Sequence, residues 1–321
     1  MIPYKHVLIC GGSGKRLWPL SRSNFPKPYL QFNNQPSLFQ QTLLRHSNCS
    51  KHLIITNQQL YYQSLYQTKS IPIQSPITYA LESEGKNTGP AILLACLSAN
   101  PDDILVVTPA DHAISPMDGY QQTIESACQI AQSNETIVLI GIEPTFPSTE
   151  YGYIQTNEQT VTGFKEKPDE PTAKAYLEQG NCFWNSGIFC FKASVVLNQF
   201  KTLAPDLTQT ITQRFKSTDA TTGVNFSDIE PMSFDRGILE HSPNITLINN
   251  NFNWNDCGCF DDLSNVLPQP SPTVSINSNN ISTYSETNKT IATHDVDDLY
   301  IIESNDAILV GKKGHSKKVS D

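Results

Sequence analysis

Long apolar runs, an excess of basic residues and paired cysteines are all missing from this sequence, and each absence removes a class of function. No stretch has the length of a membrane span, so none is expected to cross a bilayer. With 22 Lys+Arg against 31 Asp+Glu the net charge is −9, which argues against nonspecific binding to nucleic acid or to an anionic membrane surface. The eight cysteines are scattered and form no C-x-x-C pair. Only Cys257 and Cys259 stand close together, and without a second ligand pair a structural zinc is not expected. They read instead as reduced, mostly buried thiols of a cytosolic protein. The opening Met-Ile-Pro-Tyr-Lys-His runs straight into an apolar segment, so a signal peptide is not expected and the location read from the sequence is cytoplasmic. Triplets such as Asn134-Glu-Thr136 and Asn244-Ile-Thr246 then reflect an Asn/Ser/Thr-rich composition rather than glycosylation. Neither common phosphate loop is present: the G-x-x-x-x-G-K-[ST] order is missing, and Leu17 stands where the third glycine of G-x-G-x-x-G would be.

What is present fits a soluble globular α/β protein. The chain has 321 residues, 38% of them hydrophobic and 17% charged, enough for one large domain and a small appendage. Strand-like runs at His6–Cys10, Leu53–Thr56, Asp103–Thr108 and Thr136–Gly141 alternate with helix-like segments at Ser37–His46, Gln58–Gln67, Thr88–Ala99 and Tyr120–Gln132. That β-α-β-α order predicts a mostly parallel sheet with helices on both faces and ligands beyond the carboxyl ends of the strands. The glycine loop after Cys10 and Pro109-Ala-Asp-His112 both follow such ends, so they should meet in one crevice. Shorter strands are expected at Gly187–Phe191 and Ile245–Ile248. The Pro/Ser/Asn/Thr-rich stretch from Leu267 to Thr290 reads as a linker or short β coils, and Leu299–Val310 as strand. The Lys-rich tail is expected to fray, and no internal repeat stands out.

The most informative segment is Gly11-Gly-Ser-Gly-Lys-Arg-Leu-Trp-Pro19, followed by Phe25-Pro-Lys-Pro28. Gly11, Gly12 and Gly14 can take positive φ and bring bare N–H groups close to a ligand, and Lys15, Arg16 and Lys27 add the charge that several phosphates require. The segment resembles the G-G-x-G-x-R-L-x-P…P-K signature of sugar-1-phosphate nucleotidyltransferases. Its extended form through Arg22 is similar to the mannose-1-phosphate guanylyltransferase branch, and the resemblance covers nearly the whole chain.

That resemblance implies a Rossmann-like nucleotidyltransferase domain over 1–265 with a mostly parallel mixed sheet flanked by helices. A short C-terminal β-helical appendage would occupy 266–321. It implies GTP and mannose 1-phosphate as substrates, GDP-mannose and pyrophosphate as products, Mg²⁺ as cofactor and a homodimer, with no nucleic-acid or membrane partner. Some relatives continue into a cupin-like isomerase domain, for which no room is expected here.

The reaction joins two polyanions in line, so it calls for backbone donors, Arg/Lys and a metal held by one or two carboxylates. By resemblance Arg16 and Lys27 hold the triphosphate and the transition state, and Asp111 and Asp256 hold the metal. His112 is a poor Mg²⁺ ligand and is expected to support Asp111 from behind. Glu82-Ser-Glu-Gly-Lys-Asn-Thr-Gly-Pro-Ala91 resembles E-P-x-G-R-N-T-A-P-A, with Ser83 for the usual proline and Lys86 for the usual arginine. A carboxylate there accepts guanine N1–H and the exocyclic amine together, which suits Glu82, with Glu84 the competing acceptor. Gly11, Gly12, Gly14, Asn87 and Ala110 complete the expected nucleotide contacts. Glu166, Lys167, Gly152, Asn185 and Asp235 are the expected sugar-phosphate residues, Asp235 coming from the segment Phe234–Glu240, which also resembles a family motif and is expected to support the sugar pocket. Around Asp256 the chain departs from W-x-D-V-G-S-W, with Cys257, Cys259 and Phe260 beside Gly258. Two other readings stay open: a related transferase for another hexose phosphate or nucleotide, and a non-catalytic regulatory homologue.

Overall fold

The same strands are apolar on both faces, and this decides the layering. The computed structural model describes residues 2–12, 14–32, 35–157, 160–217, 223–263 and 272–320. In chain order come β1 (Lys5–Ile9), α1 (Leu38–Arg45), β2 (Lys51–Asn57), α2 (Gln58–Lys69), β3 (Ile77–Glu82), α3 (Thr88–Leu97) and β4 (Ile104–Pro109). After β5 (Ala113–Ser115) follow α4 (Met117–Ser133), β6 (Ile137–Ile142), β7 (Tyr153–Asn157), β8 (Thr160–Lys165), α5 (Glu170–Gln179) and β9 (Cys182–Lys192). Next are α6 (Ala193–Leu203), α7 (Pro205–Ser217), α8 (Phe234–Gly237), β10 (Ile245–Asn249), β11 (Asn253–Asn255) and α9 (Phe260–Leu263). The last strands are β12 (Thr273–Ile276), β13 (Ser282–Ser285), β14 (Ile291–His294), β15 (Leu299–Glu303) and β16 (Ile308–Lys312).

The residues fall into two compact units. The first comprises Met1–Gly11, Leu43–Ala110 and Ile114–Trp254; the second, Gly12–Thr42, Asp111–Ala113 and Asn255–Asp321. The expected division at 265/266 lies within 264–271, outside the described residues.

In the first unit the sheet runs β10-β6-β9-β4-β1-β2-β3, with β7 and β8 joined through β9. Strands β1, β2, β3 and β4 pair in parallel, as do β6 and β10, while β9 runs antiparallel to β4 and β6, so the sheet is mostly parallel and mixed. Val7, Leu105, Val107, Leu139 and Phe189 pack on one side with α3, which is buried from Gly89 to Cys96. Their neighbours Val106, Val138, Ile140 and Cys190 pack on the other with Tyr120, Ile124, Ala127 and Ala131 of α4. The alternation is that of a strand covered on both faces. Ile9 of β1 stands opposite Pro109 of β4, so the two strand ends that precede the glycine loop and Asp111 lie side by side. Strand β9 is longer than the expected Gly187–Phe191, and β3 was not expected at all.

Three histidines are buried on the α4 side. His6 and His52 face each other across β1 and β2 with their Nδ1 atoms 2.9 Å apart, and His6 Nε2 lies 2.8 Å from Thr108 Oγ1. The His46 ring stacks on His6 at 3.8 Å and bonds Tyr120 and Tyr4 through its two nitrogens. Burial holds His6 and His46 well below the usual imidazole range, with neighbouring His and Arg45 acting in the same direction, and burial alone takes His52 to about 4. The folded rings therefore stay neutral while the unfolded ones charge below pH ~6.5, so each removes about 1.4 kcal/mol of stability per pH unit as the pH falls through that range. His52 Nε2 has no hydrogen-bond partner among the described residues, which makes His52 the ring whose replacement leaves least unpaired. Urea unfolding of His52→Gln between pH 6 and 5 should show a loss shallower than wild type by about 1.4 kcal/mol per pH unit. Parallel pH curves would contradict this account.

The second unit has its own core of Leu17, Leu30, Phe32, Leu38, Phe260, Leu263, Tyr284, Tyr300 and Ile302. Its strands pair β12 with β14 and β13 with β15 in parallel, while β15 and β16 are antiparallel. Ser285–Glu303, Ser275–Thr293 and Asn280–Asp298 bond across an offset of 18 residues, the length of one coil. Positive φ recurs at the same offset, at Asn277 and Asp295 and again at Asn280 and Asp298, where the coil turns its corners. The appendage is thus β-helical with an 18-residue coil that the sequence pattern does not reveal. The tail corrects a second expectation. Ser316–Ser320 is a 3₁₀ turn, Ser316 is wholly buried, and its hydroxyl donates to Asp261 Oδ2 at 2.6 Å, so the described tail is tied down.

Candidate active site

In the second unit, Gly14 has φ +61°, and a Cβ on it would stand 2.5 Å from Lys27 Cβ. The loop backbone therefore lies directly against Lys27, and only glycine permits it. The Gly14 carbonyl is held by Ser21 Oγ at 2.6 Å, and Gly12 also has positive φ, +88°. Lys27 sits in a short 3₁₀ turn, Lys27–Tyr29, stiffened by Pro26 and Pro28. Its ammonium is 2.7 Å from Asp111 Oδ2 and donates to the backbone carbonyl of Asp256.

Desolvation works to lower the Lys27 pKa, but Asp111 and Asp256 outweigh it and hold it above the usual lysine range. Burial pushes Asp111 upward, and Lys27 and then His112 reverse that, leaving it below the usual carboxylate range. The two are an ion pair, not a neutral one. His112 Nε2 stands 3.8 Å from Asp111 Oδ1, as a supporting group would. Asp256 Oδ1 accepts from Gly258 N at 3.2 Å, and a Cβ on Gly258 would come within 2.8 Å of Asp256 Oδ2. Cys257 is fully buried at φ +51°, so the departure from the family pattern is absorbed into the core with the aspartate in place. Arg16 lies in the 3₁₀ turn Lys15–Leu17, half-buried, on the same glycine loop that backs Lys27.

Among the described residues no cluster of three or more His, Cys, Asp or Glu could hold a metal. Two carboxylates suffice for Mg²⁺, which keeps waters and takes substrate phosphate oxygens. The donors fit in kind: the Asp111 carboxylate lies 2.7 Å from a cation, the Lys27 ammonium, and the Asp256 charge also acts on that ammonium, while the Asp256 backbone carbonyl accepts from it. Gly14→Ala is expected to push Lys27 off this arrangement and lower kcat by about 10²-fold, the scale of a 1 Å misplacement. Unchanged kcat in folded Gly14→Ala protein would show that the loop does not set the Lys27 position.

In the first unit Glu82 ends β3 and is only 6% exposed; its Oε2 has no hydrogen-bond partner among the described residues. Burial alone raises its carboxyl to about 7. Glu84 is exposed and lies 3.7 Å from Lys86. Ser83 does what proline could not: its N–H donates to Val224 O and its hydroxyl accepts from Phe226 N, both at 2.9 Å. Lys86 donates to the Ser227 carbonyl at 3.2 Å and so ties down the neighbouring loop. Asn87, at φ +73°, caps α3 by accepting from Thr88 N at 2.8 Å. Ala110 is buried, while Gly11 is exposed and would meet nothing within 4 Å if it carried a Cβ.

The five expected sugar residues are linked within this unit. Asn185 N donates to Gly152 O, and Asn185 Nδ2 donates to Asp235 Oδ1, both at 2.8 Å. Lys167 has φ +45° and places its ammonium 3.7 Å from Glu166 Oε1. A Cβ on Gly152 would stand 2.7 Å from Glu166 Oε2 and 3.0 Å from Phe164 Cζ, so glycine is needed here to seat that carboxylate. Burial first, and Glu166 second, raise Asp235 to about 7. The segment Phe234–Glu240 is expected to support the sugar pocket, with Asp235 as its participant; Glu240, not singled out there, accepts from Glu166 N at 3.0 Å. Its only signal was its place in the segment Phe234–Glu240, which resembles a family motif.

Residues 5–270 match the family model described as nucleotidyl transferase. Mannose-1-phosphate guanylyltransferase 2 of Escherichia coli O157:H7 is 34% identical, over 99% of this chain and 73% of that protein. Xanthan biosynthesis protein XanB of Xanthomonas campestris pv. campestris is 31% identical, over 98% of this chain and 71% of its own length. A crystal structure described as mannose-1-phosphate geranyltransferase from Thermus thermophilus superposes with a TM-score of 0.88 at 25% identity, covering 99% of this chain and 98% of that one.

Proposed function

This chain belongs to the nucleotidyl transferase family, and from that membership we infer that it joins GTP and α-D-mannose 1-phosphate into GDP-mannose, releasing pyrophosphate. It is a mannose-1-phosphate guanylyltransferase of polysaccharide precursor synthesis. The observation that carries the chemistry is the pair of buried Lys27 and half-buried Asp111, with Lys27 seated against the Gly14 backbone. A transfer at phosphorus with an already ionised nucleophile needs positive charge and alignment rather than a strong base.

In this reading Lys27 and Arg16 carry the triphosphate and offset the charge that builds on the α-phosphate. The N–H groups of Gly11, Gly12 and Gly14 bind phosphate oxygens, Gly12 and Gly14 being at positive φ. Asp111 and Asp256 hold Mg²⁺, which when bound supplies Lewis-acid stabilisation of the developing charge. Glu82 accepts from the guanine edge, with Asn87 and Ala110 lining the nucleotide. Lys167 meets the sugar phosphate, and Glu166, Asn185 and Asp235 meet the hydroxyls beside Gly152. A homodimer in the cytoplasm, with an N-terminal catalytic domain to about residue 265, belongs to the same reading, carried over from the family likeness. No described helix is long and apolar enough to cross a membrane.

The deciding experiment is a pyrophosphate-release assay across GTP, ATP, UTP and dTTP with several hexose 1-phosphates. Turnover confined to GTP and mannose 1-phosphate is expected. Preference for another pair would move the chain to a neighbouring specificity, and no turnover with any pair would leave a regulatory homologue.

A further inference from the structure

The segment from α8 to Glu240 is anchored far more firmly than its length suggests. Phe234 is wholly buried among Phe189, Phe191 and Phe200, with ring centroids 5.2 to 6.3 Å away. Ile238 and Leu239 are also buried, and Ser233 caps α8 through Arg236 N at 3.1 Å. Two carboxylates project from this platform onto two different elements. Asp235 holds the Asn185 side chain of β9, and Glu240 holds the backbone N–H of Glu166 after β8.

The Glu166–Lys167 turn needs such a hold. Lys167 adopts left-handed φ +45°, a conformation that costs an L side chain about 1–2 kcal/mol and persists only when neighbours enforce it. Pro168 follows directly, so the next residue donates no backbone N–H to steady it. The bond from Glu166 N to Glu240 Oε1 fixes the backbone at the turn while Glu166 Oε2 rests over the bare Cα of Gly152.

We propose that Glu240 is a positioning residue for the sugar phosphate: by accepting the Glu166 N–H it holds Glu166 and Lys167 in their binding conformation without touching the substrate. This rests on the reading of Glu166 and Lys167 as sugar-phosphate contacts. The proposal separates geometry from charge. As an anion, Glu240 opposes a phosphate monoester and raises the Glu166 carboxyl, so neutralising it would, on charge alone, favour substrate. As an acceptor, it favours substrate by ordering the turn.

The test compares Glu240→Ala with Glu240→Gln, whose amide oxygen keeps the acceptor and discards the charge. Glu240→Ala should raise KM for mannose 1-phosphate about tenfold, the scale of a hydrogen bond to a charged acceptor. KM for GTP should stay unchanged and kcat should change less. Glu240→Gln should restore the wild-type KM or improve on it. A lower KM in Glu240→Ala, equal effects of Ala and Gln, or matched losses for both substrates would overturn the proposal. Glu166→Gln run alongside tells its failure from that of the underlying reading. If that variant leaves KM for mannose 1-phosphate unchanged, the sugar site is elsewhere.

Discussion

Asp111→Asn is expected to lower turnover by at least ~10²-fold and also to weaken the fold. The turnover loss follows from removing one of the two carboxylates that would hold the metal against charge developing on phosphorus. The fold loss comes from Lys27, whose side chain is 8% exposed and whose ammonium stands 2.7 Å from Asp111. An amide there leaves a buried cation short of its counter-ion, at a cost of about 1–3 kcal/mol once the partial exposure of Asp111 is allowed for. Asp256→Asn should match it in turnover but not in stability, because the Lys27 bond to Asp256 is to the backbone carbonyl, which the substitution keeps. Steady-state rates with excess Mg²⁺ and urea unfolding of both variants separate the two effects. Full turnover of EDTA-treated wild type would remove the metal from the mechanism, and equal stability losses would remove the ion pair.

On the proposed guanine contact, Glu82→Gln should cost roughly 2–4 kcal/mol in kcat/KM for GTP, some 30- to 1,000-fold, by putting an amide donor where the base would present donors. ITP lacks the exocyclic amine and should lose less. ATP should be nearly indifferent. The elevated Glu82 carboxyl adds a pH signature. With the group near 7 in the free protein, its acceptor form gains as the pH rises, so kcat/KM for GTP should climb between pH 6 and 8. Asp235 is raised into the same range, so the informative curve is the difference between wild type and Glu82→Gln. The linkage to stability runs the other way. A carboxyl raised from 4.5 to about 7 on folding contributes stability below its unfolded pKa, and that contribution is lost as the pH climbs past 7. Equal small losses for GTP, ITP and ATP would mean that Glu82 only shapes its loop.

Much of the architecture was legible because the strands are strongly apolar. The β1, β2, β4 and β6 segments announce themselves as short continuous apolar runs, α3 as an apolar helix buried almost all round, and α4 by a face that repeats every three to four residues. The β3 strand does not: Ile77, Thr78, Tyr79 and Ala80 are each only half-buried, so no alternation marks them. The 18-residue coil of the appendage also left no trace, because its recurring feature is backbone sign at Asn277, Asn280, Asp295 and Asp298 rather than any repeated apolar residue. The contacts of Lys27 with Asp111 and Asp256, and of Glu166 with Glu240, link residues far apart in sequence, and no local pattern encodes them. Individual residues were nameable from the motifs. Ion pairing, carboxyl elevation and the reason for Gly152 were not.

The second unit draws its core from stretches near both ends of the chain, and this orders events during synthesis. Leu17 and Leu30 emerge early, but the core partners Phe260, Tyr284 and Ile302 are more than two hundred residues downstream. Lys27 likewise waits 229 residues for the carbonyl of Asp256. Until Asn255 and the residues after it leave the ribosome, the glycine loop has no hydrophobic floor and its lysine no full set of acceptors. The first unit meanwhile has every strand of its large sheet in hand by Asn249. Loop closure over such a span is slow relative to local pairing. A refolding chain should therefore regain the strand-end carboxyl of Glu82 and the Asn185–Asp235 bond first, and the Lys27–Asp111 pair last.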